Sequence, residues 1–517
     1  MDKKFKMEYI LPFLSIIIFI SSLLMQNFYL SFISILFLIV SLLIFSATKI
    51  FSRVLLFGFT ISTFLFNFGR IFAIHFLNAK PEEAGLYGTS ISDKNILTEF
   101  YLIIFLSILT IWISFIYFEK RIDLSTFKLG SQFNLNEKFN LSNKFNLSEK
   151  FNLSDRFNLS DKLNLGIKFN IKDYSSTFLL IVYFILFIFR ILVTIERINF
   201  VNENNFHEQY LTYTSQYSII IVRLSETFLI PLFMYLSVEK RRSKTIVPLI
   251  LLFIEGVLDL FTGRRMNFVL NLFIIFVFLV VSDKDEVNKE KKPLITKRNI
   301  IVGMFITPLF IYLLQFVNDV RTRSFQTANA SFISNFLYKQ GVTLKTVLWG
   351  IKFKHENDNF MFYSLGSLTE FILNNPITQV FIDKPVYTGQ SVERALETPL
   401  FDHRVSYYID SKAYLLGRGY GSSYVIENYI DGGILGVIIG SIILGFLLCV
   451  LIKILYTNNL FLNTFCFLLA RNIFVLPRAG YTSFITATFT TSNVAMFILL
   501  YCLYWFINKF FQDRVQT

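Results

Sequence analysis

The chain has 517 residues, a formal net charge of +13 and a mean hydropathy of +0.55; 54% of its residues are hydrophobic and only 16% are charged. This composition excludes a soluble globular protein. It indicates an integral membrane protein, because apolar runs of about 20 residues, the length of one membrane span, recur from end to end. The positive charge is assigned to membrane topology and to anionic lipid, and no nucleic-acid partner is expected.

The first apolar segment follows the basic stretch MDKKFK, which resembles the start of a secretory signal. Its apolar run is too long and lacks a small-residue cleavage site, so it is predicted to be the first transmembrane helix. The chain is therefore predicted to be one all-α integral membrane domain, residues 1–517, with about twelve spans. The predicted spans are 8–26, 28–48, 54–77, 97–118, 175–195, 218–238, 245–262, 265–282, 299–317, 425–452, 460–477 and 485–507.

The short connections KIFSR, VEKRRSK and DKDEVNKEKKPLITKR are rich in Lys and Arg. Such connections stay in the cytoplasm, so both termini are predicted to be cytoplasmic. The three cysteines, Cys449, Cys466 and Cys502, fall in apolar runs, which leaves no disulfide framework and no CxxC spacing. The sequence also lacks HExxH and DxD motifs, so neither a metal nor a cofactor is expected.

Residues 119–174 form a long cytoplasmic connection that contains a six-residue repeat of the form FNLSxK. A period of six rotates the apolar pair around a helix by about a third of a turn per copy, so it does not build one helical face. An even period would keep the Phe and Leu side chains on one face of an extended strand. We interpret the repeat as low-complexity sequence that is disordered or lies on the membrane surface.

Residues 318–424 form the one large external connection. Two stretches, SFISNFLYKQGVTLKTVLWGIKF and FMFYSLGSLTEFIL, look amphipathic and are predicted to form short helices that cover the membrane interface as a lid. Its last part is rich in Tyr, and Tyr420 and Tyr424 are candidate platforms for sugar rings. A tyrosine belt at the membrane interface would have the same composition.

Eight ionisable residues of the predicted spans fall in the outer halves of their helices, and the inner halves are almost bare: Arg70, Arg190, Arg223, Glu226, Glu255, Asp259, Glu427 and Asp431. Such groups are costly in lipid and usually face a bundle interior or a watery cavity. Their one-sided distribution predicts a polar cavity open to the outer leaflet. For some of them, and for the Arg223–Glu226 pair above all, ion pairs that fix helix packing are the alternative.

Arginine is suited to binding a pyrophosphate, because its planar fork donates two parallel hydrogen bonds and stays charged when it is partly desolvated. The headgroup of ordinary anionic lipid is the alternative ligand for the two arginines in VNDVRTRSF, where the chain leaves the membrane. The candidates are Arg264, Arg265, Arg321, Arg323, Arg404, Arg418 and Arg478.

The segment GRGYGSSYVIENYIDGGILGVIIGSIILG, with the TGRR turn and VNDVRTRSF, resembles O-antigen and capsule polymerases of the Wzy type. The resemblance extends to the architecture of nearly the whole chain, although the six-residue repeat has no counterpart in it. It implies a metal-independent glycosyltransferase of the bacterial inner membrane. This enzyme would join polyprenyl-pyrophosphate-linked repeat units at the outer leaflet.

In this interpretation, Arg418 acts on the pyrophosphate together with the other arginines, and Glu427 is preferred over His403 as the base for the attacking hydroxyl. The implied partners are the lipid-linked oligosaccharide, membrane lipid and a chain-length regulator. An O-antigen-type ligase, which uses the same donor and another acceptor, is the alternative enzyme. A flippase or secondary transporter is the alternative from another class, but it should show charges near the midplane and two related halves.

Overall fold

The computed structural model describes residues 3–81, 83–122, 171–204, 209, 212–284, 296, 332–357, 361–381, 385–387, 389–457 and 459–516. These residues form helices and turns, without a strand among them. The helices are α1 Lys3–Leu24, α2 Phe28–Thr48, α3 Ile50–Thr63, α4 Gly69–Phe76, α5 Lys94–Arg121, α6 Ile171–Glu203, α7 Ile219–Glu226, α8 Leu229–Val238, α9 Arg242–Phe261, α10 Arg265–Asp283, α11 Phe332–Gln340, α12 Thr343–Glu356, α13 Gly366–Leu373, α14 Pro376–Gln379, α15 Val392–Glu397, α16 Phe401–Ile409, α17 Ser411–Leu415, α18 Tyr424–Leu455, α19 Leu460–Ile473, α20 Ser483–Thr488 and α21 Thr491–Gln516.

The all-helical membrane class is confirmed. Within the described residues, eight helical segments are long and apolar enough to cross a membrane, and Ile10–Leu24 and Leu460–Ile473 are shorter apolar helices. The predicted count of twelve spans is therefore not confirmed. The predicted span at 299–317 and the six-residue repeat of 119–174 lie almost entirely outside the described residues.

Several predicted spans are interrupted helices. A π-helical turn at Phe64–Phe68 separates α3 from α4, and the predicted span at 218–238 is divided into α7 and α8. Pro231 lies in the first turn of α8, where its missing N–H costs no helical hydrogen bond. Hydropathy did not predict these breaks, because both sides of each break are apolar enough to belong to one span.

Helix α18 is also interrupted, near its start. Gly432 and Gly433 leave the helical conformation, and Gly433 adopts a φ of +60°, which glycine accepts at little cost. Past the break, a Cβ at Gly436 would lie 2.1 Å from the carbonyl oxygen of Asn428, and one at Gly440 would lie 2.6 Å from its side chain. These glycines therefore admit Asn428 against the helix, a close approach that larger residues would prevent.

Helices α5 and α18 run parallel through the core. The Tyr429 hydroxyl donates to Glu99 at 2.7 Å near their starts, and Ser114 Oγ donates to the Ile442 carbonyl at 2.7 Å further along. Both helices thus begin at one end of the bundle, which we call the site end. The first residues of α5 and of α18 thus lie at the site end.

The two amphipathic-looking stretches do form short helices, α11 to α13, but α12 does not lie over the bundle as a lid. Its Leu344, Val347 and Ile351 side chains are fully buried. Trp349 Nε1 donates to the Thr89 carbonyl at 3.0 Å and thereby fixes α12 to the loop before α5. Helix α12 is thus a packed element of the core at the site end.

Candidate active site

Five arginines and one histidine line a cavity of about 800 Å³ at the site end, which we call the basic cavity. No described residue in its lining is acidic, so the cavity has a positive electrostatic potential that favours an anion. The lining residues are Phe66, Gly263, Arg264, Arg265, Met266, Asn267, Val269, Gln340, Gly389, Gln390, Arg394, His403, Gly417, Arg418, Gly419 and Arg478.

Two glycine turns deliver three of the arginines. Arg264 and Arg265 follow Gly263, which adopts a φ of +81° in the tight turn between α9 and α10. Arg418 follows Gly417, with a φ of +85°, at the end of α17. Positive φ is open to glycine at little cost, so Gly263 and Gly417 allow the chain to turn directly before Arg264 and Arg418.

Arg394 is the cavity arginine that the sequence reasoning missed. Helix α15 presents it, and Ser391 caps the start of that helix by accepting from the Arg394 amide at 3.1 Å. Its Nη1 donates to the Gly389 carbonyl at 2.8 Å. The available signal was the capping pattern SVER within the long loop, which predicts a short helix with an arginine in its first turn.

His403 has a defined hydrogen-bond partner behind the cavity wall. Its Nδ1 lies 2.8 Å from the Tyr414 hydroxyl oxygen, and that hydroxyl donates its single proton to the Ser391 carbonyl at 3.3 Å. Nδ1 must therefore be the donor to Tyr414, which leaves Nε2 as the unprotonated nitrogen. In this tautomer, Nε2 can accept a proton.

The electrostatics of His403 favour the same role. Burial lowers the pKa of His403 below its ordinary value of 6.5; Arg394 acts in the same direction, and Asp402 opposes it. Burial also raises the pKa of Tyr414, which keeps its hydroxyl protonated. At neutral pH the imidazole is thus uncharged and able to act as a base.

Glu427 does not line the basic cavity. Its buried carboxylate accepts from Ser422 Oγ at 2.6 Å and from the Tyr481 backbone N–H at 2.7 Å. It therefore links the loop that follows Arg418 to the loop that follows Arg478. This geometry fastens together the two loops that carry Arg418 and Arg478.

Asp431 holds the loop in the same way. Its two carboxylate oxygens accept from the Tyr363 N–H at 2.9 Å and from the Ser364 N–H at 2.8 Å. Glu427 and Asp431 thus fasten three segments of the chain to the first turns of α18. This is why acidic residues stand where α18 enters the bundle.

The other predicted site residues lie elsewhere. Arg404 donates to the Leu396 carbonyl at 3.1 Å and does not line the basic cavity. The Tyr420 ring lies 4.8 Å from Lys345 Nζ, outside the cavity lining. Tyr424 is fully buried, with its hydroxyl 2.8 Å from Ser107 Oγ, so its ring is closed to a sugar. Arg321 and Arg323 lie outside the described residues.

The intramembrane charges mostly pair with one another. Arg190 contacts Glu255 at 2.8 Å and Asp259 at 3.9 Å, while Arg223 pairs with Glu226 at 3.3 Å on an exposed surface. Arg190, Glu226 and Glu255 also line a smaller cavity of about 450 Å³. Three of the eight predicted residues therefore share a cavity, and the opening of a polar cavity to the outer leaflet stays a prediction.

Asn267 lines both cavities and connects the basic cavity to this buried network. Its Nδ2 donates to Asp259 at 2.6 Å, and its Oδ1 accepts from Arg471 Nη2 at 3.3 Å. The carboxylates of α9, Glu255 and Asp259, contact Arg190, and Asp259 also accepts from Asn267. They neutralise buried arginines and thereby support the wall of the basic cavity.

The multi-pass helical chain defines an integral membrane protein, and the arginine-lined cavity at one end is its candidate site. In the described residues, no group of three or more His, Cys, Asp or Glu could hold a metal ion. Residues 7–510 match the family model of the O-antigen polysaccharide polymerase Wzy. The protein belongs to this family, and the resemblance seen in the sequence is confirmed. No curated protein and no solved structure matches the chain.

Membership in this family establishes polymerisation of lipid-linked O-antigen repeat units in a membrane. Neither the family match nor the fold favours the ligase or the flippase alternative.

Proposed function

We propose that the growing polyprenyl-pyrophosphate-linked chain is the donor and that a newly flipped repeat unit is the acceptor. A hydroxyl oxygen of the acceptor sugar attacks the anomeric carbon of the donor and forms the new glycosidic C–O bond. The bond from that carbon to the pyrophosphate oxygen breaks, and polyprenyl pyrophosphate leaves with the electron pair. The hydroxyl proton passes to a base on the protein.

The observation that carries this proposal is the basic cavity with its five arginines. Negative charge builds up on the leaving pyrophosphate during the reaction, so fixed positive groups stabilise the transition state more than the ground state. Arg264, Arg265 and Arg418 follow tight glycine turns, and Arg394 and Arg478 line the same cavity from other segments of the chain. We assign these five to the leaving group.

For the base, the geometry supports His403 over Glu427. His403 lines the basic cavity, is neutral at pH 7 and has an unprotonated Nε2. Glu427 already accepts two hydrogen bonds away from the cavity. We therefore assign proton transfer to His403 and positioning of the arginine loops to Glu427.

We further propose that the reaction needs no metal, because the arginines supply the positive charge that a cation would otherwise provide. The test is polymerisation of a lipid-linked repeat unit by purified protein in excess EDTA. We expect full activity. Loss of activity that magnesium or manganese restores would contradict the proposal.

The site end is proposed to face outward in the inner membrane, with both termini in the cytoplasm. Cysteine labelling of intact cells tests this orientation in a variant without Cys449, Cys466 and Cys502. An impermeant thiol reagent should modify Lys412→Cys in the loop at the site end and should not modify Ser148→Cys in the repeat. The opposite pattern would reverse the orientation.

The function itself is tested by mass spectrometry of lipid-linked glycans after deletion of this protein. A polymerase predicts accumulation of single repeat units on lipid. Long unligated chains would indicate a ligase, and the absence of lipid-linked sugar on the outer leaflet would indicate a flippase. Complementation with the wild-type chain is the control.

A further inference from the structure

A second large cavity lies at the site end, beside the start of α5 rather than beside the α9–α10 turn. Its volume is about 970 Å³, and we call it the mixed-charge cavity. The α1–α2 turn, the first residues of α5 with the loop before it, and the last turn of α12 surround it. Its lining residues are Ser22, Leu23, Gln26, Phe28, Ser90, Ile91, Ser92, Asp93, Lys94, Asn95, Ile96, Thr98, Glu99, Lys352, His355 and Glu356.

Acidic and basic residues both line this cavity, and two pairs of them are in contact. His355 Nε2 lies 3.0 Å from Glu99, and Lys352 Nζ lies 3.7 Å from Glu356. The Tyr429 hydroxyl also donates to Glu99 at 2.7 Å. Paired charges give little net potential, so nothing here attracts a pyrophosphate as the basic cavity does.

Neutral hydrogen-bonding groups fill most of the remaining wall. Gln26 and Asn95 supply amide groups, and Ser90, Ser92 and Thr98 supply hydroxyls. These groups can both donate and accept, as can the hydroxyls of a sugar. A wall that mixes amides, hydroxyls and paired charges is therefore chemically matched to an uncharged, hydroxyl-rich ligand.

Two aromatic residues, Trp349 and Tyr408, pack together beside Lys352. Lys352 Nζ lies 4.8 Å from the Trp349 ring centroid, and the Tyr408 ring packs edge-on against Trp349 at 5.7 Å. Lys352 is thereby held between Trp349 and Glu356. Its ammonium group is fixed in place at the cavity, which lowers the cost of ordering it on a ligand.

The two cavities lie near opposite ends of α12. Gln340, just before α12, lines the basic cavity, while Lys352, His355 and Glu356 at its end line the mixed-charge cavity. A helix of 14 residues is about 20 Å long, which is further than one monosaccharide reaches. A ligand of several sugars could therefore occupy both cavities at once.

We propose that the mixed-charge cavity binds sugars of the growing glycan that lie several residues away from the pyrophosphate. The proposal rests on the function proposed above, because it takes the basic cavity as the pyrophosphate end of the same ligand. Holding the chain at two points keeps it on the protein between additions. The mixed-charge cavity would thus set how many repeat units are added before release.

The test uses full-length protein in detergent and, as the probe, the oligosaccharide of two or more repeat units released from its lipid by mild acid. We expect the probe to bind, and we expect Asn95→Ala and Lys352→Ala each to weaken binding about tenfold, the effect of losing one good hydrogen bond. Lys412→Ala, an exposed lysine that lines neither cavity, is the matched control and should bind normally.

Two activity measurements complete the test. In a single turnover with lipid-linked repeat unit, both variants should form the first bond at the wild-type rate, and at steady state their polymers should be shorter. Failure of the probe to bind, or unchanged binding in both variants, would overturn the proposal. Loss of first-bond formation in correctly folded variants would also overturn it, because the cavity would then belong to the reaction centre.

Failure of the proposed function gives a different result. If Arg418→Lys and Arg264→Lys form the first bond normally, the pyrophosphate site lies elsewhere, whatever the probe does. If those variants lose the reaction but still bind the probe at wild-type strength, saccharide binding is independent of the basic cavity. That second result is the one we expect.

Discussion

The basic cavity and the mixed-charge cavity share one end of the helix bundle and are joined through α12, yet their charges differ. Five arginines line the first without an acidic residue in its described lining, whereas both acidic and basic residues line the second. A single-sign wall favours the pyrophosphate, and a balanced wall favours the glycan. In our proposal, one lipid-linked substrate is recognised by two kinds of surface, one for each of its chemical parts.

The largest effect should come from His403, which only the basic cavity contains. His403→Gln removes the base and should lower the rate of first-bond formation by about a hundredfold or more. Turnover per folded molecule, with protein quantified after gel filtration, is the measurement. A near-normal rate would mean that another group is the base. The basic cavity would then no longer differ from the mixed-charge cavity by containing the base.

The dependence of activity on pH tests the assignment of His403 as the base. Because burial lowers the pKa of His403 below 6.5, the base stays deprotonated and active at neutral pH, and activity should fall only as pH drops below that ordinary value. The measurement is kcat/KM against pH, and His403→Gln should lose this acidic limb. A limb that persists in the variant would belong to a different group.

Arg418→Lys and Arg264→Lys should have the next largest effects. Lysine keeps the charge but loses the planar two-donor fork, a loss of about 1.5 to 3 kcal/mol that corresponds to about a ten- to hundredfold lower rate. Arg223→Lys is the matched control, because its exposed pair with Glu226 lies outside the basic cavity. Equal losses in all three variants would mean that lysine simply destabilises the fold.

Glu427→Gln should have an intermediate effect. Glutamine offers one acceptor oxygen where glutamate offers two, so either the bond from Ser422 or the bond from Tyr481 is lost, and the loops that carry Arg418 and Arg478 loosen. We expect about a tenfold lower first-bond rate with the acidic limb of the pH profile unchanged. Disappearance of that limb would identify Glu427 as the base after all.

Salt should have the smallest effect and should separate the cavities directly. Raising ionic strength from about 0.1 M towards 1 M shortens the Debye length from about 10 Å to about 3 Å. Binding of inorganic pyrophosphate should weaken several-fold, and binding of the released oligosaccharide should change by less than about twofold. Isothermal titration measures both. Equal salt sensitivity would contradict the assignment of charged and neutral ligand parts.

Hydropathy and motif patterns determined the membrane class, most of the span positions and the family, because each depends on runs of neighbouring residues. They also marked Arg264, Arg265 and Arg418 as candidates for binding a pyrophosphate, because arginine suits that ligand. The order of spans could be predicted well because a membrane helix satisfies its backbone within its own segment. The helix breaks at residues 64–68 and near Gly433 could not be predicted from the sequence.

Only the tertiary structure decided which loop residues face the basic cavity. Arg394 enters it and Arg404, ten positions further along, does not; His403 lies in its wall, whereas the fully buried Tyr424 does not. Many contacts at the site end are long-range: Lys345 contacts Glu83 at 2.7 Å across 262 residues, and Glu427 accepts from the Tyr481 N–H across 54. A local sequence pattern cannot encode such contacts, because they form only when separate segments of the chain pack together.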